Sequence, residues 1–188
     1  MRLRVILPLV LAALFVLGAC GSSSSPKAST KTSTGPTTVT YEPAGANPSI
    51  SAKMICTTEV RGLLADNLRI TPTRVTTPTW NDHIYSCTYV YPKGSLVLSV
   101  KELVSDKTTT DYFNLQKQKL GLKENLFGLA QGAFVAKNDD VVVRKDYKVL
   151  VVDVKNVPKG SGAFVPAMTR SDVATNVASV IMSCWVGA

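Results

Sequence analysis

The sequence predicts an α+β domain, built on one twisted antiparallel sheet with about three helices packed mainly on one of its faces. Three observations support this prediction. Residues 53–188 have globular composition and the usual length of a single domain. Apolar residues in this stretch switch between helical spacing and a period of two. Tight turns separate the strand-like segments, so consecutive strands must pair antiparallel.

The domain opens with a predicted helix that begins at Thr57-Thr58-Glu59. A hydroxyl can cap the first turn there, and an acid favours the positive end of the helix dipole. The helix carries a short apolar stripe and ends near Asn67. Residues 68–80 contain many Thr and are predicted to be irregular.

A β-hairpin is predicted next, with strands at 84–91 and 96–103 joined by a turn at Pro92-Lys93-Gly94. Leu96, Leu98 and Val100 alternate with their neighbours at the period of a half-buried strand. A helix is then expected over 109–120, with Gly121 where a C-terminal glycine belongs. Tyr112, Phe113, Leu115 and Leu120 are its expected core-facing residues.

The rest of the chain predicts a three-stranded meander and a last helix. A glycine-bearing loop leads into short strands at 133–137, 141–144 and 149–154, and the helix covers about 171–183. Because such strands alternate only in part, we expect one sheet face to be covered by helices and the other to be partly solvated.

Residues 1–19 are predicted to be a targeting segment outside the fold. Arg2 and Arg4 precede an apolar run at 5–17, which is too short to span a bilayer and fits a secretory signal. It ends in Leu17-Gly18-Ala19-Cys20, which resembles the bacterial lipoprotein signal. The resemblance implies cleavage between Ala19 and Cys20 and acylation of the Cys20 thiol, including palmitate-type chains. Two or more such chains anchor a secreted protein stably to the outer face of the cell membrane or envelope.

Residues 20–52 are predicted to be the lipidated cysteine and a disordered tether, because Ser, Thr and Pro dominate and little is apolar. This composition also suits O-glycosylation. Without residues 1–19 the chain keeps 19 Lys+Arg against 13 Asp+Glu, a net charge of +6. That charge would favour anionic lipid or acidic wall polymer, or serve solubility alone. The sequence contains no cluster of basic residues, so we expect no nucleic-acid partner.

Three cysteines remain in the domain, namely Cys56, Cys87 and Cys184. An oxidising compartment favours a disulfide among them. Pairing Cys56 with Cys87 would fix the first helix to the sheet. Pairing Cys56 with Cys184 would instead join the first and last helices. The residues alone leave both pairings open.

Recognisable catalytic or metal-binding patterns are absent from the sequence. His83 is the only histidine, and no His pair, CxxC or acidic loop accompanies it. We therefore expect no enzyme, metal or cofactor, although acids that converge only in the fold could still form a hydrolase. Candidate ligand-facing aromatics are Trp80, Tyr85, Tyr89 and Tyr91, with core packing as the alternative.

Several short motifs carry a family resemblance: Cys56-Thr-Thr-Glu-Val-Arg-Gly-Leu-Leu, Cys87-Thr-Tyr89, Gly128-Leu-Ala-Gln-Gly-Ala133 and Lys145-Asp146. Together with the signal and tether, they resemble small actinobacterial (mycobacterial-type) cell-envelope lipoproteins of unknown function. The resemblance implies that Cys56 pairs with Cys87. Cys184-Trp185 departs from the pattern, and the resemblance implies no activity.

These features lead to one main functional expectation, a membrane-anchored extracytoplasmic lipoprotein whose domain is a non-enzymatic binding or accessory module. Its partner would be an envelope protein, a wall polymer or a lipid. The alternatives are an envelope hydrolase or wall-modifying enzyme, and a lipid carrier or ligand sensor. The sequence does not predict the oligomeric state.

Overall fold

The computed structural model describes residues 42–160 and 162–185. The helices are α1 (Ile50–Lys53), α2 (Thr58–Leu68), α3 (Asp106–Leu120) and α4 (Arg170–Cys184), with a 3-10 turn at Met54–Cys56. The strands are β1 (Arg74–Val75), β2 (Thr79–Asn81), β3 (Ile84–Tyr91), β4 (Gly94–Glu102), β5 (Leu122–Leu126), β6 (Gly132–Ala136), β7 (Val141–Lys145) and β8 (Lys148–Asp153).

All eight strands form one open antiparallel sheet in the order β1-β3-β4-β8-β7-β6-β5. The short β2 lies beside β1 along the outer edge of β3. Tight turns join β3 to β4, β6 to β7 and β7 to β8, so these neighbours in sequence are also neighbours in the sheet. The predicted fold class, α+β with one antiparallel sheet, is confirmed.

Helices cover both faces of the sheet unequally. The main core lies on one face, where Leu98, Leu150 and Val143 pack with buried residues of α1, α2 and α4. Alternate residues of the same strands point the other way, where Phe134, Val142 and Val149 pack with Phe113 of α3. Three of the four α-helices in the described chain therefore share the main face, and α3 alone covers the other.

Local signals in the sequence set the helix ends. The Thr57 side chain accepts a hydrogen bond from the Val60 amide and caps α2, as predicted. Gly121 follows α3 at φ 71°, a left-handed conformation that favours glycine, and a Cβ atom there would lie 2.9 Å from the Lys137 side chain. Ser105 and Thr108 form a capping box, so α3 begins at Asp106 rather than at residue 109.

Three short strands, β1, β2 and β5, were not predicted from the sequence. β5 lies where a glycine-bearing loop was predicted, and β1 and β2 lie in the segment predicted to be irregular. All three are edge strands that pair on one side only, and β5 is exposed along most of its length. Backbone pairing with the neighbouring strand defines them, and their sequences show no alternation of apolar residues. The meander therefore has four strands, not three.

Leu115 is a second correction, because it is 40% exposed instead of facing the core. It lies two residues after the buried Phe113, which places it about 200° away around the helix. Its exposure thus follows from helical geometry once Phe113 fixes the buried side of α3.

The folded unit also begins before residue 53, where the predicted tether ends. Ser49 is buried and caps α1, and Ala52 is fully buried in the main core. Residues 20–41 of that tether and the predicted targeting segment lie outside the described residues. Within the part of the chain that the structure describes, no helix is long and apolar enough to cross a membrane.

Candidate functional site

A groove of about 220 Å³ lies between the edge strand β5 and the first two turns of α4. Leu126 and Val135 form its apolar floor, and Glu124 borders it from β5. Ser171, Asp172, Thr175 and Asn176 border it from α4. The groove thus combines a small apolar surface with five polar side chains.

The fold brings these residues together through two simple periodicities. Glu124 pairs with Val135 across β5 and β6, so both side chains face the side of the sheet that α4 covers. Ser171 and Thr175, and likewise Asp172 and Asn176, are four residues apart and share one side of the helix. β5 is the last strand of the sheet, so the groove lies at the sheet edge.

The Thr175 hydroxyl and the Asn176 amide group donate their hydrogen bonds to backbone carbonyl oxygens of α4. The Thr175 hydroxyl donates to the Ser171 carbonyl oxygen at 2.8 Å, and Asn176 Nδ2 donates to the Asp172 carbonyl oxygen at 3.0 Å. Their side-chain oxygens remain to accept hydrogen bonds. The groove therefore favours a ligand that brings hydrogen-bond donors.

Asp172 is held in its ionised form. Its Oδ2 accepts hydrogen bonds from the Thr169 hydroxyl at 2.7 Å and the Thr169 amide at 2.8 Å. These bonds lower the pKa of Asp172 below its ordinary value. With Glu124 opposite, the groove carries two carboxyl groups.

A cluster of charged residues stiffens one end of the groove. Asp139, in the β6–β7 turn, binds Lys123 Nζ of β5 at 2.8 Å and Arg170 Nε of α4 at 3.1 Å. Partial burial alone would raise the pKa of Asp139, but the hydrogen bonds and charges of these two cations lower it overall. The cluster joins both walls of the groove through one turn.

A disulfide joins Cys56 to Cys87, with 6.0 Å between their Cα atoms. This is the pairing that the family resemblance implies. It fixes the turn before α2 to the middle of β3. Cys184 is a free, buried thiol near the end of α4, which removes the alternative pairing with Cys56.

The predicted ligand-facing aromatics do not line the groove. Tyr89 is fully buried, and its hydroxyl donates to the Ile55 carbonyl oxygen at 2.7 Å. Tyr91 is 3% exposed and packs edge-on against Phe164. Burial raises the pKa of both phenols. These two tyrosines are core residues, because their face of β3 lies in the main core under α1, α2 and α4.

Trp80 and Tyr85 are only half-buried and pair across β2 and β3. Trp80 Nε1 donates to the Ala46 carbonyl oxygen at 2.9 Å, and its ring meets His83 edge-on. The indole therefore fastens the segment that leads into α1. Both residues lie at the opposite side of the sheet from β5.

His83 lies in the turn between β2 and β3, and Asp82 beside it forms an ion pair with Lys101. Among the described residues, no group of three or more His, Cys, Asp or Glu is placed to hold a metal ion. Ala19 and Cys20, the predicted cleavage and lipidation residues, lie outside the described residues.

The groove was not predicted from the sequence, because β5, which forms one wall, lies in a segment predicted to be a loop. The only signal was the helical spacing of hydroxyl and amide side chains on α4. Comparison of the chain with models of protein families, with curated proteins and with solved structures finds no match.

Proposed function

We propose that this protein is an extracytoplasmic lipoprotein, anchored through Cys20 to the outer face of the bacterial cell membrane or envelope, with a non-enzymatic binding module as its domain. The signal-like segment ending in Ala19-Cys20 supports the anchor. The disulfide between Cys56 and Cys87 suits an oxidising compartment outside the cytoplasm.

The groove between β5 and α4 is the observation that carries the binding role. Its acceptor-rich walls and small apolar floor suit a polar group that brings hydrogen-bond donors. Its volume is below the roughly 300–1,000 Å³ of pockets for drug-sized ligands. One sugar-sized unit of a wall polymer, or one polar side chain of an envelope protein, matches that volume. A lipid carrier would need a more apolar and enclosed cavity.

A hydrolase is the second candidate, because Glu124 and Asp172 both border the groove. General acid catalysis requires a carboxyl group with a raised pKa. The pKa of Asp172 is lowered, which does not suit a general acid. Burial raises the pKa of Asp140, but this residue does not border the groove and accepts a hydrogen bond from the Val154 amide. Glu124 is then the one groove residue left to act as the general acid of a hydrolase. We therefore favour the binding function.

The anchor is tested by expressing the full chain with Cys20 or with Cys20→Ser and separating membranes from medium. The proposal expects the native chain in the membrane fraction and the variant in the precursor or released form. Equal distribution of both chains, with the variant cut to the same mature length as the native chain, would refute anchoring through Cys20.

The groove is tested by native mass spectrometry of the protein purified gently from its own membrane. The proposal expects a bound mass that denaturation removes. Thr175→Tyr fills the groove and should lose that mass, whereas Ser179→Tyr should keep it. Ser179 is exposed one turn further along the same helix, which makes it a matched control. Absence of any bound mass from the native chain, or its retention in Thr175→Tyr, would contradict the proposal.

A further inference from the structure

In the described part of the chain, the three most exposed large apolar residues lie at one end of the sheet. This end, called the tether end below, is formed by the first residues of β3, β6 and β8 and the last residues of β4, β5 and β7. Phe127, directly after β5, is 93% exposed, and Val104, two residues after β4, is 63% exposed. Ile50 is 83% exposed and follows Ser49, which binds the last residue of β4.

The strand register places these side chains across the width of the tether end. Glu102 pairs with Lys148, Lys148 pairs with Lys145, and the pairing continues through β6 to β5. Four strand spacings of about 4.8 Å separate β4 from β5, or about 19 Å. The apolar side chains are therefore spread along one end instead of forming a single patch.

The chain enters the domain at this same end. The Ala44 amide donates to the Leu103 carbonyl oxygen at 2.9 Å, and Lys148 Nζ donates to the Glu42 carbonyl oxygen at 3.4 Å. Glu42 is the first described residue and lies 22 positions after Cys20. Covalent geometry limits that span to at most about 75–80 Å. A lipid on Cys20 would keep the tether end within that distance of the bilayer.

Charge at the tether end is nearly balanced. Lys101 pairs with Asp82 at 3.0 Å, Lys107 with Asp111 at 2.6 Å, and Arg144 lies 3.5 Å from Asp106. Lys148 is only 2% exposed, and Lys145 Nζ donates to the Trp185 carbonyl oxygen. Cations that are paired, buried or otherwise engaged offer little attraction to anionic headgroups. The exposed apolar side chains are thus the main feature that this end presents to a partner.

We propose that the tether end docks on the lipid bilayer, with Phe127, Val104 and Ile50 entering the boundary between headgroups and acyl chains. This inference rests on the proposed anchor at Cys20. Three separated apolar side chains suit a fluid lipid surface, whereas a protein partner would favour a contiguous apolar patch. The anchor makes docking intramolecular, so a weak contact is enough. Docking should change little with salt.

The test uses the full-length lipidated chain in liposomes that carry brominated acyl chains, which quench tryptophan at the acyl boundary. Phe127→Trp places a reporter at the tether end. Leu122→Trp places a matched reporter on the same strand at the opposite end, where Leu122 is 39% exposed. Wild-type signal from Trp80 and Trp185 is subtracted. Docking predicts at least about threefold stronger quenching of the residue-127 reporter, unchanged between low and high salt.

The other outcomes distinguish a failure of docking from a failure of the anchor. If the chain floats with the liposomes but both reporters are quenched alike or not at all, docking through the tether end is refuted and the anchor stands. If the chain carries no acyl mass and does not float, the anchor itself is refuted. Quenching that disappears at high salt would contradict an apolar contact. Both substituted positions are exposed, and unchanged urea midpoints would confirm that both variants are folded.

Discussion

Glu102 provides the sharpest test of how the entering chain is fastened to the domain. It is the last residue of β4 and only 3% exposed. Its Oε1 accepts hydrogen bonds from the Ser49 amide at 3.1 Å and from the Ser49 hydroxyl. The same hydroxyl accepts from the Ala52 amide at 3.2 Å and so caps α1. One buried carboxylate therefore holds the start of the fold.

We predict that Glu102→Ala lowers the free energy of unfolding by about 2–3 kcal/mol. Each hydrogen bond to a charged group contributes about 1.5–3 kcal/mol, and the mutation removes two. Loss of the buried carboxylate, which is costly to desolvate, offsets part of that. Glu102→Gln keeps one acceptor oxygen and should cost about 1 kcal/mol. Urea unfolding followed by tryptophan fluorescence measures both values.

Asp66→Asn is the control, because Asp66 is an exposed acid of α2, and its effect should stay within about 0.5 kcal/mol. Hydrogen exchange should also accelerate at the Ala52 amide in Glu102→Ala before the sheet is affected. If Glu102→Ala is no less stable than Asp66→Asn, the carboxylate does not fasten the entering chain, and the reasoning fails.

Three further predictions concern the body of the domain. Reduction of the disulfide, or Cys87→Ser, should cost about 3–4 kcal/mol, because the closed loop spans 31 residues; coincident urea curves with and without reductant would disprove this. The pKa of Asp139 is lowered in the fold, so its contribution is present above its ordinary value of 3.8 and is lost as pH falls through the lower folded value. Asp139→Asn should therefore flatten the acid limb of a stability-against-pH profile, and an unchanged limb would contradict the role of its cations. Phe134 is fully buried beneath α3, so Phe134→Ala should cost about 3–5 kcal/mol, whereas the exposed Leu115→Ala should cost under about 1 kcal/mol; equal costs would argue against a second core under α3.

The sequence predicted the central strands and helices well, because each carries a signal that burial enforces. β3 spans the predicted residues 84–91, and its alternation matches a strand with one face in the main core. α4 differs from its predicted range by one residue at each end. Thr57 and Gly121 act at the helix ends as their chemistry suggested.

The edge strands and the groove escaped prediction for a shared physical reason. The β5 segment Leu-Lys-Glu-Asn-Leu has no apolar alternation, since solvent covers most of it and only pairing with β6 defines it. Likewise, Tyr89 and Tyr91 are typical of either a core or a binding face, and only the position of the covering helices decides between them. The start of the fold at Ser49 depends on Glu102, a partner 53 residues away.

The mass of the N-terminal peptide of the membrane-purified protein shows whether Cys20 is the anchor. We expect a peptide that begins at Cys20 and carries the mass of a diacylglyceryl group, with or without a third acyl chain. An unmodified Cys20, or a peptide that still includes residues 1–19, would contradict the anchored module on which both proposals depend.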